Sequence, residues 1–123
     1  MILGIGLDVV SVDRLRRWKN IPGLFQRFFN PKELEVALPR GETGILSLAA
    51  RFAAKEAFGK ALGGGIRGFA LKEIAVMNDR YGKPYMVLSG NAERAFIASG
   101  ASKIHVSLTH EHDNALAMVV IER

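Results

Sequence analysis

The chain is 123 residues long, 49% hydrophobic and 24% charged, a balance that excludes intrinsic disorder and fits a single folded domain over 1–123. Its 17 Lys and Arg outnumber 12 Asp and Glu, and the net charge of +5 points to anionic partners: nucleic acid, a phosphorylated small molecule or an acidic protein. With no cysteine there is no disulfide framework, thiolate zinc site or cysteine nucleophile, so any metal must be held by oxygen or imidazole.

Residues 2 to 10 are an apolar run of Ile, Leu, Val and Gly, short enough for a buried strand. No basic leader precedes it, and Asp8 interrupts it before the length of a signal or a membrane span; a soluble, cytoplasmic protein is expected. Ser11 is a candidate N-cap for a helix to about Asn20, ended by Pro22 and Gly23. Pro31, after Asn30, has the position of a first-turn proline and starts a short second helix that Pro39 to Gly44 terminates. The longest helical pattern runs from about Ile45 to Leu62 and is stopped by Gly63-Gly64-Gly65. Strands follow at Leu71 to Met77 and Pro84 to Leu88, with turn chemistry at Asp79 to Gly82 between them. Ser89 is placed to cap one more helix, to Gly100, and a closing hairpin of Lys103 to Thr109 and Ala115 to Glu122 ends the chain. The order predicts an α+β fold: a small, mainly antiparallel sheet packed with a long central helix. Neighbouring strands pair; the place of the first strand is not legible.

Two carboxylates stand in apolar settings. Asp8 is the only charge in its strand, and an unpaired buried carboxylate costs on the order of several kcal/mol, so it needs a cation. Helix capping near Ser11, or pairing with Arg14, is the competing account. On a helical wheel Ile45, Leu48, Ala49, Phe52 and Ala53 form one stripe with Glu56 in its middle. Lys60 rises beside Glu56 one turn on, while Arg51 and Lys55 flank the stripe; the bland alternative is a Glu56–Lys60 surface pair. Two carboxylates brought together repel unless a proton or cation lies between them. Mg²⁺ suits such a site, because it takes one or two protein carboxylates and completes its octahedron with water and phosphate oxygens.

Other features carry less. Gly63-Gly64-Gly65-Ile66-Arg67-Gly68 follows a helix, whereas phosphate-cradling loops precede one, so it reads as a connector or ligand-side loop. Gly82-Lys83-Pro84 is a turn entering a strand. His105, Ser107 and Thr109 share one strand face, opposite Val106 and Leu108; with His110 and His112 nearby they do not make a zinc spacing, and no nucleophile elbow supports a triad. In the first helix Val12 and Leu15 face inward, while Arg14, Arg17 and Trp18 cluster opposite, either as an interface hot spot or with the tryptophan tucked inward beside arginine stems. Four cations, Arg14, Arg16, Arg17 and Lys19, have only Asp13 beside them and project a positive field.

Gly4-Ile5-Gly6-Leu7-Asp8-Val9, Arg51-Phe52-Ala53-Ala54-Lys55-Glu56-Ala57-Phe58-Gly59-Lys60-Ala61, Gly82-Lys83-Pro84 and His105-Val106-Ser107-Leu108-Thr109-His110 together resemble the holo-acyl-carrier-protein synthases over nearly the whole chain. The long-helix motif is the most specific of these. The resemblance implies a homotrimer with active sites at subunit interfaces, coenzyme A as donor, acyl carrier protein as acceptor, 3′,5′-ADP as product and a role in fatty acid biosynthesis. At matching positions it implies Asp8 and Glu56 for Mg²⁺ and Lys60 for the pyrophosphate. Arg51, Lys83, Pro84, His105 and His110 would line the nucleotide site, and the basic first helix, with Arg14, Arg17 and Trp18, would receive the carrier. The serine proton would pass to Glu56, directly or through a water on the metal, or the catalysis would be electrostatic alone. A nucleic-acid module would leave Asp8 and Glu56 unexplained, and a metal-dependent phosphohydrolase would need water as nucleophile; neither nucleic acid nor membrane is expected as a partner.

Overall fold

Helix α4 (Glu42–Leu62) is the axis of the computed structural model, which describes residues 1–65 and 68–123; Ile66 and Arg67 of the glycine stretch lie outside the described residues. The helix is Ala-rich, which favours helix formation and lets neighbours approach closely. Leu48, Ala49, Ala53, Ala54, Ala57 and Phe58 have no exposed surface. The single apolar stripe expected from the wheel is therefore replaced by burial around most of the helix. Arg51 and Lys55 are buried with the core, while Glu56 is half-buried. The anomalous charge of this helix is Lys55 rather than Glu56.

One side of α4 is covered by a three-stranded antiparallel sheet of order β1-β5-β4, from β1 (Ile2–Ser11), β5 (Asn114–Glu122) and β4 (Lys103–His110). The first strand, whose place the sequence left open, lies at the edge against β5, with Gly6 opposite Val119 and Asp8 opposite Ala117. Side chains alternate along β1, so Gly4, Gly6, Asp8 and Val10 share the helix-facing side. A methyl group on Gly4 or Gly6 would overlap the backbone carbonyl of Ala61 or Ala57. Ala115, Ala117, Val119 and Ile121 of β5 complete this buried face.

The other elements pack around the opposite side. Helix α1 (Val12–Trp18) buries Val12 and Leu15 as expected but stops short of Asn20, and α2 (Leu24–Phe28) forms where no element was expected, burying Phe25. Helix α3 (Pro31–Ala37) starts at the proline, capped reciprocally by Asn30 and Glu33, and a 3-10 turn (Leu38–Arg40) leads into α4. Strands β2 (Ile74–Asn78) and β3 (Pro84–Leu88) form a separate antiparallel hairpin. The first residues expected in β2 are instead a 3-10 turn, Leu71–Glu73. The Glu73 carboxylate accepts from the amides of Ala70 and Asn91, each at about 3 Å, and so caps α5 (Gly90–Ala98) where Ser89 makes no side-chain cap. Among the described residues no helix is long and apolar enough to cross a membrane.

Because the β1–α4 contact is backbone against backbone, Gly6→Ala should destabilise the fold by at least about 1–3 kcal/mol, the usual cost of overpacking. A denaturant midpoint equal to that of the unaltered chain would show that strand and helix can move apart freely.

Candidate functional site

Asp8 is the first residue with a side chain on the helix-facing side of β1 after two glycines, and it reaches Lys60 of α4. Lys60 Nζ donates to Asp8 Oδ1 at 2.9 Å and to the Leu7 carbonyl at 3.0 Å. The Asp8 side chain is 18% exposed and the Lys60 side chain 53%, so the pair lies at the rim of the core rather than within it. Glu56 stands one turn before Lys60. Burial, and secondly the negative charge of Asp8, raise its pKa above the usual carboxylate range, with Arg14 and Lys60 opposing. Asp8, Glu56, Lys60 and Arg14 thus share one field.

Arg14 comes from α1 and stacks over the rings of Trp18 at 5.0 Å and Phe52 at 5.3 Å. Trp18 is not an exposed hot spot: it is half-buried, 5.1 Å from both Phe28 and Phe52. Of the two readings of this residue, the inward one holds. Arg17 is exposed. Arg16 is not a free cation, since it pairs with Asp13 and with Glu42 Oε1 at 2.6 Å and donates to the His112 carbonyl at 3.2 Å. The positive field of α1 and its C-cap is that of Arg14, Arg17 and Lys19.

A second set of expected residues meets elsewhere. Arg51, Pro84 and His110 line a groove of about 450 Å³ with Arg40, Ser47 and Asn78. Arg51 Nε donates to the Val76 carbonyl at 2.8 Å and Nη2 to Asn78 Oδ1 at 2.7 Å, with Nη1 on Ser47. Burial lowers the Arg51 pKa from its ordinary value, yet guanidinium stays charged at neutral pH. Asn78 donates to the Gly82 carbonyl at 2.9 Å, and Asp79 accepts the amides of Tyr81 and Lys83 at 2.8 and 2.9 Å, so the turn carrying Lys83 is fixed at the groove. His105 does not join this set. It points off the opposite sheet face from Leu108 and His110, and its Nε2 lies 2.5 Å from Glu122 Oε1, which holds the Glu122 carboxyl below its usual range.

Arg40 and Asn78 escaped the sequence reading, although an Asn-Asp pair at a hairpin turn and a cation just before a long helix are signals that could have marked them. Residues 51 and 56 are five apart on a helix, roughly 140° in rotation, so the Asp8–Glu56–Lys60 set and the Arg51 groove face different sides of α4. One chain does not merge them. Among the described residues no three His, Cys, Asp or Glu converge as a metal cluster. Two carboxylates in one field, with the Glu56 pKa raised by burial and secondly by the charge of Asp8, fit a hard dication such as Mg²⁺, which asks for no more protein ligands.

Residues 4–119 match the family model of the 4′-phosphopantetheinyl transferase superfamily. The chain is 53% identical over 122 residues to the holo-[acyl-carrier-protein] synthase of Treponema denticola, covering 99% of each. Its fold is similar to the crystal structure of holo-[acyl-carrier-protein] synthase from Neisseria meningitidis, with a TM-score of 0.89, 38% identity and full coverage of both chains. The Bacillus anthracis holo-(acyl-carrier-protein) synthase in complex with CoA (3′,5′-ADP) is similar at a TM-score of 0.82 and 34% identity, over 99% of this chain and 97% of that one.

If Asp8 and Glu56 share a field, Asp8→Asn should lower the titration midpoint of Glu56 in metal-free protein toward the ordinary carboxylate range, because a negative neighbour is removed. Carboxyl ¹³C shifts followed against pH read this directly, and an unmoved midpoint would separate the two groups.

Proposed function

This chain belongs to the 4′-phosphopantetheinyl transferase superfamily and, within it, to the holo-[acyl-carrier-protein] synthases, and from that premise we propose how its own residues perform the transfer. The activity is transfer of phosphopantetheine from coenzyme A to an acyl carrier protein. The serine hydroxyl of the carrier attacks the pantetheine-bearing phosphorus, the bond to the bridging oxygen breaks, and adenosine 3′,5′-bisphosphate leaves. The observation that carries the site assignment is the convergence of Asp8, Glu56 and Lys60 at the β1–α4 contact.

Asp8 and Glu56 would hold Mg²⁺, which supplies charge neutralisation for the pyrophosphate. Lys60, with its Nζ beside Asp8, offsets charge on the departing phosphate. Glu56, whose proton affinity is raised by burial and by Asp8, is the group suited to accept the serine proton. Arg51, Arg40, Asn78, Lys83, Pro84 and His110 bind the nucleotide end of coenzyme A in their groove. The cations of α1 receive an acidic carrier, and the holo-carrier supplies fatty acid biosynthesis in the cytoplasm. Residues 1–123 act as one transferase domain.

The assembly is a homotrimer with sites between subunits. Two features support this. The carboxylate set and the nucleotide groove face apart on one chain, so joining them takes a neighbour. The sheet face away from α4 leaves Ile5, Leu7 and Val9 about 60% exposed, an apolar surface of the kind that marks an interaction site. His105 lies on that face, and its contact with nucleotide would come from a neighbouring subunit's site.

Incubation with coenzyme A, Mg²⁺ and an apo carrier, followed by mass spectrometry of the carrier, should show one phosphopantetheine added; an unmodified carrier would end the reading. Asp8→Ala and Glu56→Ala should fold and be inactive, whereas Lys60→Ala should lose on the order of 10²-fold in kcat, the usual cost of removing a charge stabiliser. Arg17→Glu should raise KM for the carrier, most at low salt, and leave KM for coenzyme A unchanged. Arg17 is the cleaner test than Arg14, which also stands on Phe52 and in the field of Glu56.

A further inference from the structure

The most deeply buried charges belong to neither set of site residues. Glu33 and Lys55 have no exposed surface, and Lys55 Nζ donates to Glu33 Oε1 at 2.6 Å. The carboxylate also accepts from the Asn30 amide at 2.9 Å and, through Oε2, from the Val76 amide at 3.0 Å. Lys55 further donates to the Leu71 carbonyl at 3.0 Å and to the Ile74 carbonyl. Arg51, one turn before Lys55, takes the Val76 carbonyl and the Asn78 side chain.

These partners follow one line. Among the described residues strand β2 is paired only with β3, and both polar groups of Val76 are engaged by side chains on the other edge. A buried strand edge must satisfy its amides and carbonyls. Here a carboxylate takes the amide and two cations take the carbonyls, so three side chains from α3 and α4 replace a third strand. What that edge fixes is the hairpin bearing Asn78, Lys83 and Pro84, set against the helix bearing Arg51.

We propose that Glu33 is a positioning residue for coenzyme A binding: through the Val76 amide it holds the β2–β3 hairpin in register with Arg51 and so shapes the nucleotide groove. This rests on the assignment of that groove to the nucleotide. Glu33 itself touches no substrate, and its effect is on binding rather than on the Asp8–Glu56–Lys60 chemistry.

Single substitutions would strand a buried charge, so the test uses two double variants that differ only at position 33. Glu33→Leu/Lys55→Met removes both charges, an exchange that is often tolerated in stability, but leaves the Val76 amide without an acceptor. Glu33→Gln/Lys55→Met also removes both charges and keeps a side-chain oxygen for that amide. The leucine variant should show KM for coenzyme A raised about tenfold or more over the glutamine variant, with kcat and KM for the carrier within about twofold. Equal KM values for coenzyme A in the two variants, or a parallel rise for both substrates, would overturn the proposal. Should either variant fail to fold, hydrogen exchange of the Val76 amide in the unaltered protein decides: adenosine 3′,5′-bisphosphate should slow it, and unchanged exchange refutes the coupling. Lys83→Ala and His110→Ala are the controls. If neither alters KM for coenzyme A, the groove assignment fails; if they raise it and the double variants match, only the role of Glu33 fails.

Discussion

The closeness of β1 to α4 is the constraint on which the site depends. Strand and helix run antiparallel, with Gly4 against Ala61 and Gly6 against Ala57, so that two residues along the strand correspond to about one turn back along the helix. Asp8 continues that line toward the helix N-terminus. Side chains of a helix lean in the same direction, which brings Lys60 back over the strand to Asp8 and the Leu7 carbonyl. With side chains at positions 4 and 6 the two elements would stand further apart, and the carboxylates would no longer share a field.

Much of this is legible in the sequence, and what is not has physical causes. The order of strands and helices follows from periodicity and punctuation, and Pro31 after Asn30 marked the start of α3 because its capping is local. Asp8 was conspicuous as a lone charge in an apolar strand. Glu56 stands out on a helical wheel for a reason that the packing of α4 does not bear out. The wheel presumes one buried side, and α4 is enclosed by the sheet, by α1 and α3 and by the hairpin. In such a helix the charge most in need of explanation is Lys55, which the wheel placed at the flank. The position of β1, the short α2 and the meeting of Arg40, Asn78 and His110 depend on contacts between distant segments, to which a local pattern is blind.

Formal charge also proved a poor guide to available charge. Three cations lie in α1 and a fourth, Lys19, at its C-cap, but Arg16 is held by Asp13 and Glu42 and ties the helix to the start of α4 and to the closing hairpin. Arg14 stands between two tasks, on an aromatic shelf of Trp18 and Phe52 and within the field of Glu56. The surface proposed to meet an acidic partner is thereby contiguous with the groups proposed to meet the pyrophosphate. A carrier docked there would bring its serine to the chemistry without a long tether.

The buried Glu33–Lys55 pair also constrains how this sequence can drift. Losing either partner alone strands a charge in the core, at a cost of about 3–5 kcal/mol, a large part of the stability of an ordinary domain. Exchanging both for well-packed apolar residues is often milder, since no charge is left unpaired. Positions 33 and 55 are therefore separated from any apolar alternative by a valley that single substitutions cannot cross cheaply, although they lie 22 residues apart and on different helices. Inheritance should keep the two letters together or exchange them together, and α4 is held to α3 by that linkage.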